Sequence, residues 1–347
     1  LGYIQHWGKL RSADPNPGAY RAHRVKVTSY DRMRDLAETK VRAIDVAINK
    51  TEAELLTLML DSLPATAQPL RRSFATGVDT YPYAFNELGA GTPALTVTKH
   101  IAVSAFATIF MKGDGTLVLQ SRDTRSSGTS SFTFNETMSG LSTAANVDEL
   151  VNNVRTTINP RTIDSAATTV IASTTAKLVI ENTGTATIYL VNASGVAFLQ
   201  LRGKGIYQRS PQSFEATSSK PYGDKMLSIN LPYQSSTDNA QSYAEVVEEN
   251  YNDQASAQLE TISFQANDSD DLLQQALARE PGDIISITES TVGASTLDMV
   301  IQSVTLDVSA GPWVTCTYGL APATLFAMWL LGTDGRTELG ETTILGW

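Results

Sequence analysis

Histidine and cysteine are the residue types that most often build catalytic or metal centres, and this 347-residue chain has only three histidines and one cysteine. No two of His6, His23 and His100 stand at the short spacing of a metal-binding motif. A catalytic triad that needs histidine could recruit only these three. Cys316 is single, which excludes an internal disulfide and a zinc site made of several cysteines. We therefore predict no catalytic, metal-binding or cofactor-binding residues and no cofactor.

Paired carboxylates are a second source of chemistry, because a glycosidase needs two of them about 5–10 Å apart in a cleft. Glu248 and Glu249 are adjacent on a predicted helix and face different ways. Asp270 and Asp271 fall in the first turn of another predicted helix, where negative charge is favourable. Residues 267–270 lack the glycine and the terminal glutamate of an EF-hand loop. Spacing alone leaves a glycosidase open.

Charge is sparse and unevenly placed. Charged residues make up 18% of the chain, against about 25% in an ordinary soluble domain. Residues 1–50 hold ten Lys and Arg against five Asp and Glu, whereas residues 241–347 hold two against sixteen. The net charges of +5 and −14 indicate two surfaces that face different environments, with a solvated acidic face as the simpler alternative. No apolar run reaches the roughly 18 residues of a membrane-spanning helix.

Local signals predict the elements of the first half. Residues 23–29 alternate apolar and polar side chains, which indicates a strand. Thr51 opens a capping box and so begins a helix. Pro93 begins another helix, which runs to about Ala107. The Asp-Gly step within residues 113–115 lies between two apolar alternations, which predicts a hairpin.

The second half reads as mostly β. Residues 151–158 alternate, and residues 166–210 hold several short strands separated by turns, which predicts a small β module. Residues 241–254 and 269–279 are predicted helices, the second capped by its first serine. Residues 284–320 form a β meander. The predicted class is α+β and β-rich.

Three stretches in one order carry a resemblance to a known family. Residues 100–122 combine a helix with Phe-Met-Lys-Gly-Asp-Gly-Thr-Leu-Val-Leu, and residues 147–160 include Asp-Glu-Leu-Val-Asn-Asn-Val-Arg. The C-terminal block runs from Pro-Gly-Asp-Ile at 281–284 to Glu-Leu-Gly-Glu-Thr-Thr-Ile-Leu-Gly-Trp at 338–347. This order resembles the minor tail proteins of long-tailed bacteriophages, the family of baseplate hub and tail-associated proteins. Residues 199–207 resemble an insert found in some members.

The resemblance implies tail-tube-like β-barrel domains with an inserted small α+β unit and an inserted β module. By that analogy, residues 1–30 end a first barrel whose opening strands precede Leu1. The implied domains are 1–76 for the end of an N-terminal barrel plus helices, 77–150 for the α+β insert, 151–165 with 241–325 for the second barrel, 166–240 for the inserted β module, and 326–347 for a C-terminal extension that docks on a neighbour.

The implied function is structural and not enzymatic. The family implies a homotrimer at the tail tip of the virion, assembled in the host bacterial cytoplasm, that caps the tail tube and forms a channel for DNA ejection. Its partners would be the tail tube, distal tail proteins and a tip fibre or spike, with DNA only in transit. The alternative is a carbohydrate-binding adhesin or a cell-wall-degrading glycosidase of the tail tip. An adhesin would bring exposed tyrosines into one groove for sugar stacking, with Tyr81, Tyr83, Tyr207 and Tyr222 as candidates.

A DNA channel benefits from an acidic wall, because like charge keeps the polyanion from adhering. The acidic C-terminal third supplies the candidate lumen acids Glu248, Glu249, Asp268 and Asp307. The basic residues near the N-terminus favour a contact with an acidic partner or with the acidic end of a neighbouring copy. They are Arg21, Arg24, Lys26, Arg32 and Arg34.

Overall fold

The structure is a computed structural model, and its secondary structure is given for most of the chain. The described residues are 6–17, 23–42, 44–85, 88, 91–122, 129–135, 138–144, 151–163, 165–166, 169–174, 199–203, 206–218, 223–252, 258–289, 294–308 and 313–323. Their α-helices are α1 (Arg32–Glu38), α2 (Glu52–Asp61), α3 (Ala94–Ala105), α4 (Thr237–Tyr251) and α5 (Asp270–Ala278). Their strands are β1 (Lys9–Pro17), β2 (His23–Tyr30), β3 (Ala47–Thr51), β4 (Arg71–Phe74), β5 (Thr80–Ala84), β6 (Thr108–Met111), β7 (Thr116–Gln120), β8 (Thr133–Phe134), β9 (Gly140–Ala144), β10 (Asn153–Ile158), β11 (Arg161–Ile163), β12 (Thr169–Thr174), β13 (Leu199–Gly203), β14 (Ile206–Gln208), β15 (Gln212–Thr217), β16 (Met226–Leu231), β17 (Gln258–Gln265), β18 (Ile284–Glu289), β19 (Ala294–Val308) and β20 (Val314–Pro322).

Helices α1–α3 and strands β3–β7 share one hydrophobic core, and we call this part the α+β unit. Helix α2 begins where predicted, because Thr51 and Glu54 form the capping box: the Thr51 hydroxyl accepts from the Glu54 amide at 3.4 Å, and the Glu54 carboxylate accepts from the Thr51 amide at 3.0 Å. Its apolar face, with Leu55, Leu56 and Met59, is fully buried. Truncating one of these side chains to alanine would cost about 2–5 kcal/mol.

The predicted hairpin is β6–β7, which are antiparallel, and β4 joins β7 in parallel. In its turn, the Asp114 carboxylate accepts from the Thr116 amide at 2.9 Å, and Gly115 adopts φ +84°, a left-handed conformation that favours glycine. Leu117 and Leu119 then point into the core of the α+β unit.

The largest sheet has six strands in the order β8-β18-β19-β20-β17-β9, and its long strands are antiparallel. Helix α5 covers one face. It begins at the predicted cap, where the Ser269 hydroxyl accepts from the Leu272 amide at 3.1 Å. The core between helix and sheet includes Phe264, Cys316 and Tyr318.

A three-stranded sheet in the order β15-β10-β16 forms a third part of the fold, with β15 antiparallel and β16 parallel to β10. Helix α4 begins at Ser236, whose hydroxyl accepts from the Asn239 amide at 3.3 Å, and it packs on this sheet through Ala240, Tyr243 and Ala244. Strands β1–β2, β3–β5, β11–β14 and β12–β13 form separate two-stranded pairs.

The observed pairings group the chain differently from the implied domains. Strand β10, placed with the second barrel, pairs instead with β15 and β16 of the predicted 166–240 module. The six-stranded sheet takes β8 and β9 from the predicted 77–150 insert, and the core of the α+β unit runs across the 76/77 boundary. Non-local strand pairing decides these groupings and leaves no local signal. The domain boundaries stay a prediction, and the predicted extension 326–347 lies outside the described residues.

Candidate functional site

A buried network of charged and polar side chains joins the α+β unit to helix α4. The Arg122 guanidinium, just after β7, donates two hydrogen bonds to the Asp79 carboxylate, at 2.7 and 2.8 Å. The Tyr243 hydroxyl of α4 donates to Asp79 at 3.0 Å and accepts from Arg122. The side-chain amide groups of Gln234 and Asn239 also donate to the Asp79 carboxylate, each at 3.0 Å. Five donor contacts therefore satisfy one buried carboxylate, as a low-dielectric interior requires.

The same network fixes the loop before α4. The Gln234 side-chain oxygen accepts from the backbone amides of Ser235 and Ser236, each at 3.0 Å. The Phe106 ring stacks on Tyr243 with a centroid distance of 4.1 Å. Because these contacts tie two hydrophobic cores together through hydrogen bonds of fixed direction, the network sets the orientation of α4 against the α+β unit.

Glu52 lies near this network with its side chain fully buried at the start of α2. One carboxylate oxygen accepts from the Val78 amide at 2.8 Å, and the other has no hydrogen-bond partner in the described structure. Burial raises the pKa of Glu52 above its ordinary value, and Asp79 adds to the rise. Gly77 takes φ +90°, and a Cβ there would lie 2.6 Å from the Glu52 carboxyl carbon, so glycine is needed.

Sequence reasoning missed both Glu52 and the Asp79–Arg122 pair. A signal for Glu52 was present, because it stands three and four residues before Leu55 and Leu56 and therefore shares their apolar helix face. Asp79 lies in a loop before β5, where no periodicity could mark it as buried.

The four candidate lumen acids do not form one cluster. Glu248 is half-buried and Glu249 exposed on α4, and the Glu248 carboxylate accepts from Asn252 at 3.0 Å. Asp268 and Asp307 are exposed at one end of the six-stranded sheet. At that end, the backbone amide of Val314 donates to the side-chain oxygen of Asn267 at 2.6 Å. This bond holds the segment that contains Asp268 against the start of β20. A lumen-facing role for the four acids stays a prediction.

The three candidate tyrosines that the structure describes do not meet in one groove. Tyr81 is buried in the core of the α+β unit, and burial raises its pKa. Tyr83 is half-buried on β5, whereas Tyr207 is exposed on β14 in a different sheet. Tyr222 lies outside the described residues. A sugar-stacking surface built from these side chains therefore has no support in the described structure.

Two histidines have structural contacts. The His6 ring nitrogen lies 2.8 Å from the Ser29 hydroxyl. His100, on α3, packs edge-on against Tyr233 and lines a cavity of about 170 Å³ with Phe85 and Arg161. Burial lowers the pKa of His100 below its ordinary value. The cavity is smaller than the roughly 300–1,000 Å³ of typical ligand pockets.

The remaining predictions of chemistry concern metal and thiol sites. Within the ranges described above, no three His, Cys, Asp or Glu side chains are grouped so as to hold a metal ion. Cys316 is buried in the core of the six-stranded sheet. Burial raises its pKa to about 12, so it is a protonated thiol. Among the same residues, no helix is long and apolar enough to cross a membrane.

Comparison with known proteins places the fold. No protein-family model matches the chain, and neither does any curated protein. The 43 kDa tail protein of prophage MuSo2 from Shewanella oneidensis matches with a TM-score of 0.55 and 13% identity, over 93% of this chain and 81% of that one. The tail protein from Neisseria meningitidis MC58 matches with a TM-score of 0.57 and 11% identity, over 90% of this chain and 78% of that one.

At these identities the likeness is one of fold, and it extends over at least nine-tenths of the chain. The chain thus has the β-rich α+β fold of these two tail proteins. The resemblance expected from the sequence is confirmed at that level.

Proposed function

We propose that this chain is a structural protein of a phage tail and, within the tail, a baseplate hub subunit at the tip. The observation that carries the proposal is the fold shared with two tail proteins, one of them from a prophage, over 90% or more of the chain. Three subunits would cap the tail tube, connect it to distal proteins and a tip fibre or spike, and leave a channel for DNA. The strong acidity of residues 241–347 supports the channel, because it would repel the passing polyanion.

We also propose that the protein acts without catalysis. The buried charged network offers no reactive group to a substrate, because Asp79 and Arg122 are saturated by internal hydrogen bonds. Neither residue lines the cavity beside His100. We therefore assign the network a structural role, which is to hold helix α4 against the α+β unit.

Deleting the coding sequence from the phage or prophage that carries it tests the tail assignment. Electron microscopy of induced particles is expected to find heads with absent or unfinished tails, and a plasmid copy is expected to restore them. Fully infectious particles with normal tails would contradict a structural role.

Two further measurements separate the finer parts of the proposal. Native mass spectrometry of the purified chain is expected to give a trimer, and gold-labelled antibody is expected to mark the tail tip. Labelling along the tail shaft would agree with a tail protein but would contradict the assignment as a baseplate hub. A monomer that binds cell-wall glycans in an array would favour the adhesin instead.

A further inference from the structure

The cavity beside His100 lies between the α+β unit and the segment that joins β16 to α4, and we call it the ring pocket. Its volume is about 170 Å³, and His100, an exposed residue of α3, lies at its rim. An apolar cavity of about 150 Å³ in another protein holds one benzene molecule. The ring pocket is therefore large enough for one ring-sized group and too small for most whole ligands.

Three aromatic side chains line the ring pocket. The Phe85 ring meets the Tyr233 ring edge to face, with a centroid distance of 5.7 Å. The His100 ring also lies edge-on to Tyr233, with a centroid distance of 6.4 Å. Aromatic rings attract one another in such arrangements because the face of one is negative and the edge of the next is positive. The lining therefore favours an aromatic ring over an aliphatic group of the same size.

The walls of the ring pocket are fixed by the fold. The Tyr233 backbone amide donates to the Ser104 hydroxyl at 3.0 Å, and Val97 is buried. Phe85 is buried at φ +68°, which is unusual for a bulky residue. Backbone strain of this kind persists only where the surrounding structure imposes it, and it is common at ligand sites. Walls that are in place before binding cost a ligand little in ordering.

Arg161, at the start of β11, brings a positive charge to the lining. Its guanidinium lies 5.9 Å from the centroid of the Tyr233 ring, and it donates to the carbonyl oxygens of Pro232 at 2.9 Å and Asn159 at 3.3 Å. Among the described residues that line the ring pocket, none is acidic. The lining therefore favours a group that carries negative charge beside its ring.

We propose that the ring pocket binds one aromatic ring that carries a carboxylate on or near the ring. The ring packs among Phe85, His100 and Tyr233, and the carboxylate faces Arg161. Tyr233 precedes Gln234, whose side chain donates to Asp79, so the bound group contacts the loop that holds α4. The proposal does not rest on the proposed function, because binding is measured on the purified chain alone.

Three small probes test the pocket on the full-length wild type by isothermal titration calorimetry. Benzoate is expected to bind with a dissociation constant on the order of 1 mM, as suits so small a ligand. Cyclohexanecarboxylate has the same charge without the aromatic ring and should bind about 3-fold or more weaker. Benzyl alcohol keeps the ring without the charge and should bind about 10-fold weaker. Equal affinity for benzoate and cyclohexanecarboxylate overturns the proposal, and so does an absence of benzoate binding at about 10 mM.

Substitution of Arg161 locates the binding. Arg161→Met should weaken benzoate about 10-fold and leave benzyl alcohol unchanged, and Arg161→Lys should restore part of the loss. Arg155→Met is the matched control, because Arg155 pairs with Glu215 on β15 and does not line the pocket. Equal weakening of benzoate by the two Met variants overturns the pocket as the site. If Arg161→Met does not fold, Arg161→Lys and the three probes on the wild type still decide.

A free aromatic acid and an aromatic side chain beside an acidic residue present the same group. The blocked dipeptide acetyl-aspartyl-phenylalanine amide distinguishes these sources. Binding of the dipeptide at least as tight as that of benzoate, and lost in Arg161→Met, supports a protein partner as the source, whereas binding of benzoate alone supports a free acid. Thermal unfolding gives an independent readout, since about 10-fold excess of benzoate over its dissociation constant should raise the midpoint by about 2 °C. An unchanged midpoint would contradict specific binding to the folded chain.

Discussion

Glu52 is a single side chain whose burial makes a prediction about pH. Its carboxyl group is fully buried, with one oxygen unpartnered in the described structure, and burial raises its pKa. A carboxyl group that binds its proton more tightly in the folded state favours folding at low pH. Stability from this group is therefore greatest below its ordinary pKa and falls as pH rises toward the raised folded value, above which it is constant.

Glu52→Gln should remove this dependence, because the amide keeps an acceptor for the Val78 N–H and never ionises. We expect the variant to be more stable than the wild type at pH 8 in urea unfolding, with a smaller difference near pH 4.5. Glu54→Gln in the same helix is the control, since a hydrogen bond from Lys50 lowers the pKa of that exposed carboxyl. Its slope should have the opposite sign. A loss of stability in Glu52→Gln at every pH would refute the raised pKa of Glu52.

The Asp79–Arg122 pair makes a second prediction at this scale. Arg122→Met removes the cation and leaves Asp79 buried with only neutral donors, which should cost about 3–5 kcal/mol of unfolding free energy. Arg71→Met is the matched control, because Arg71 is 70% exposed and reaches Asp114 at 3.4 Å. A surface pair of that kind contributes about 0–1 kcal/mol. Equal losses in the two variants would mean that the buried pair contributes little.

At the scale of elements, the start of α2 can be tested against its middle. Thr51→Ala removes the hydroxyl that accepts from the Glu54 amide and should destabilise the fold by about 1 kcal/mol. Thr57→Ala, six residues later in the same helix, should be neutral or slightly stabilising, since alanine has the higher helix propensity. Thermal unfolding followed by circular dichroism measures both. A larger loss at Thr57 would show that the cap is not the stabilising contact.

Elements were predictable where their signals are local. The capping box at Thr51, the Asp114-Gly115 turn and the Ser269 cap each depend on a few neighbouring residues, and all three occur as predicted. The grouping of strands was not predictable in the same way. Strand β10 pairs with two strands that follow it by dozens of residues, and β-strand patterns do not name their partners.

In the candidate site, too, one residue has a local sequence signal and the other contacts are non-local. Glu52 could have been recognised from its place on an apolar helix face, whereas the pairing of Asp79 with Tyr243 spans 164 residues and left no trace in either segment. The excess of acids in residues 241–347 was visible in composition, but the positions of Glu248, Asp268 and Asp307 on separate surfaces depend on the fold.

At the scale of the whole molecule, charge asymmetry predicts how assembly responds to salt. If basic and acidic surfaces of neighbouring subunits meet, screening should weaken their association as the Debye length falls from about 10 Å at 0.1 M to about 3 Å at 1 M. Sedimentation at increasing sodium chloride is expected to shift the protein toward monomer. Stronger association at high salt would indicate a contact dominated by apolar burial.

The buried network has a consequence for how the chain emerges during synthesis. Arg122 and Tyr243 are 121 residues apart, and Gln234 follows Asp79 by 155. At about 5–20 residues per second, the ribosome needs roughly 6–24 s to supply Tyr243 after Arg122. During that interval the nascent α+β unit lacks Tyr233, which belongs to its hydrophobic core. It also lacks Asn239 and Tyr243 of α4, which donate hydrogen bonds to Asp79. We expect nascent chains arrested before residue 230 to be cleaved readily by protease, and chains arrested well beyond residue 251 to be protected, so that arrival of α4 is the step that completes the N-terminal half.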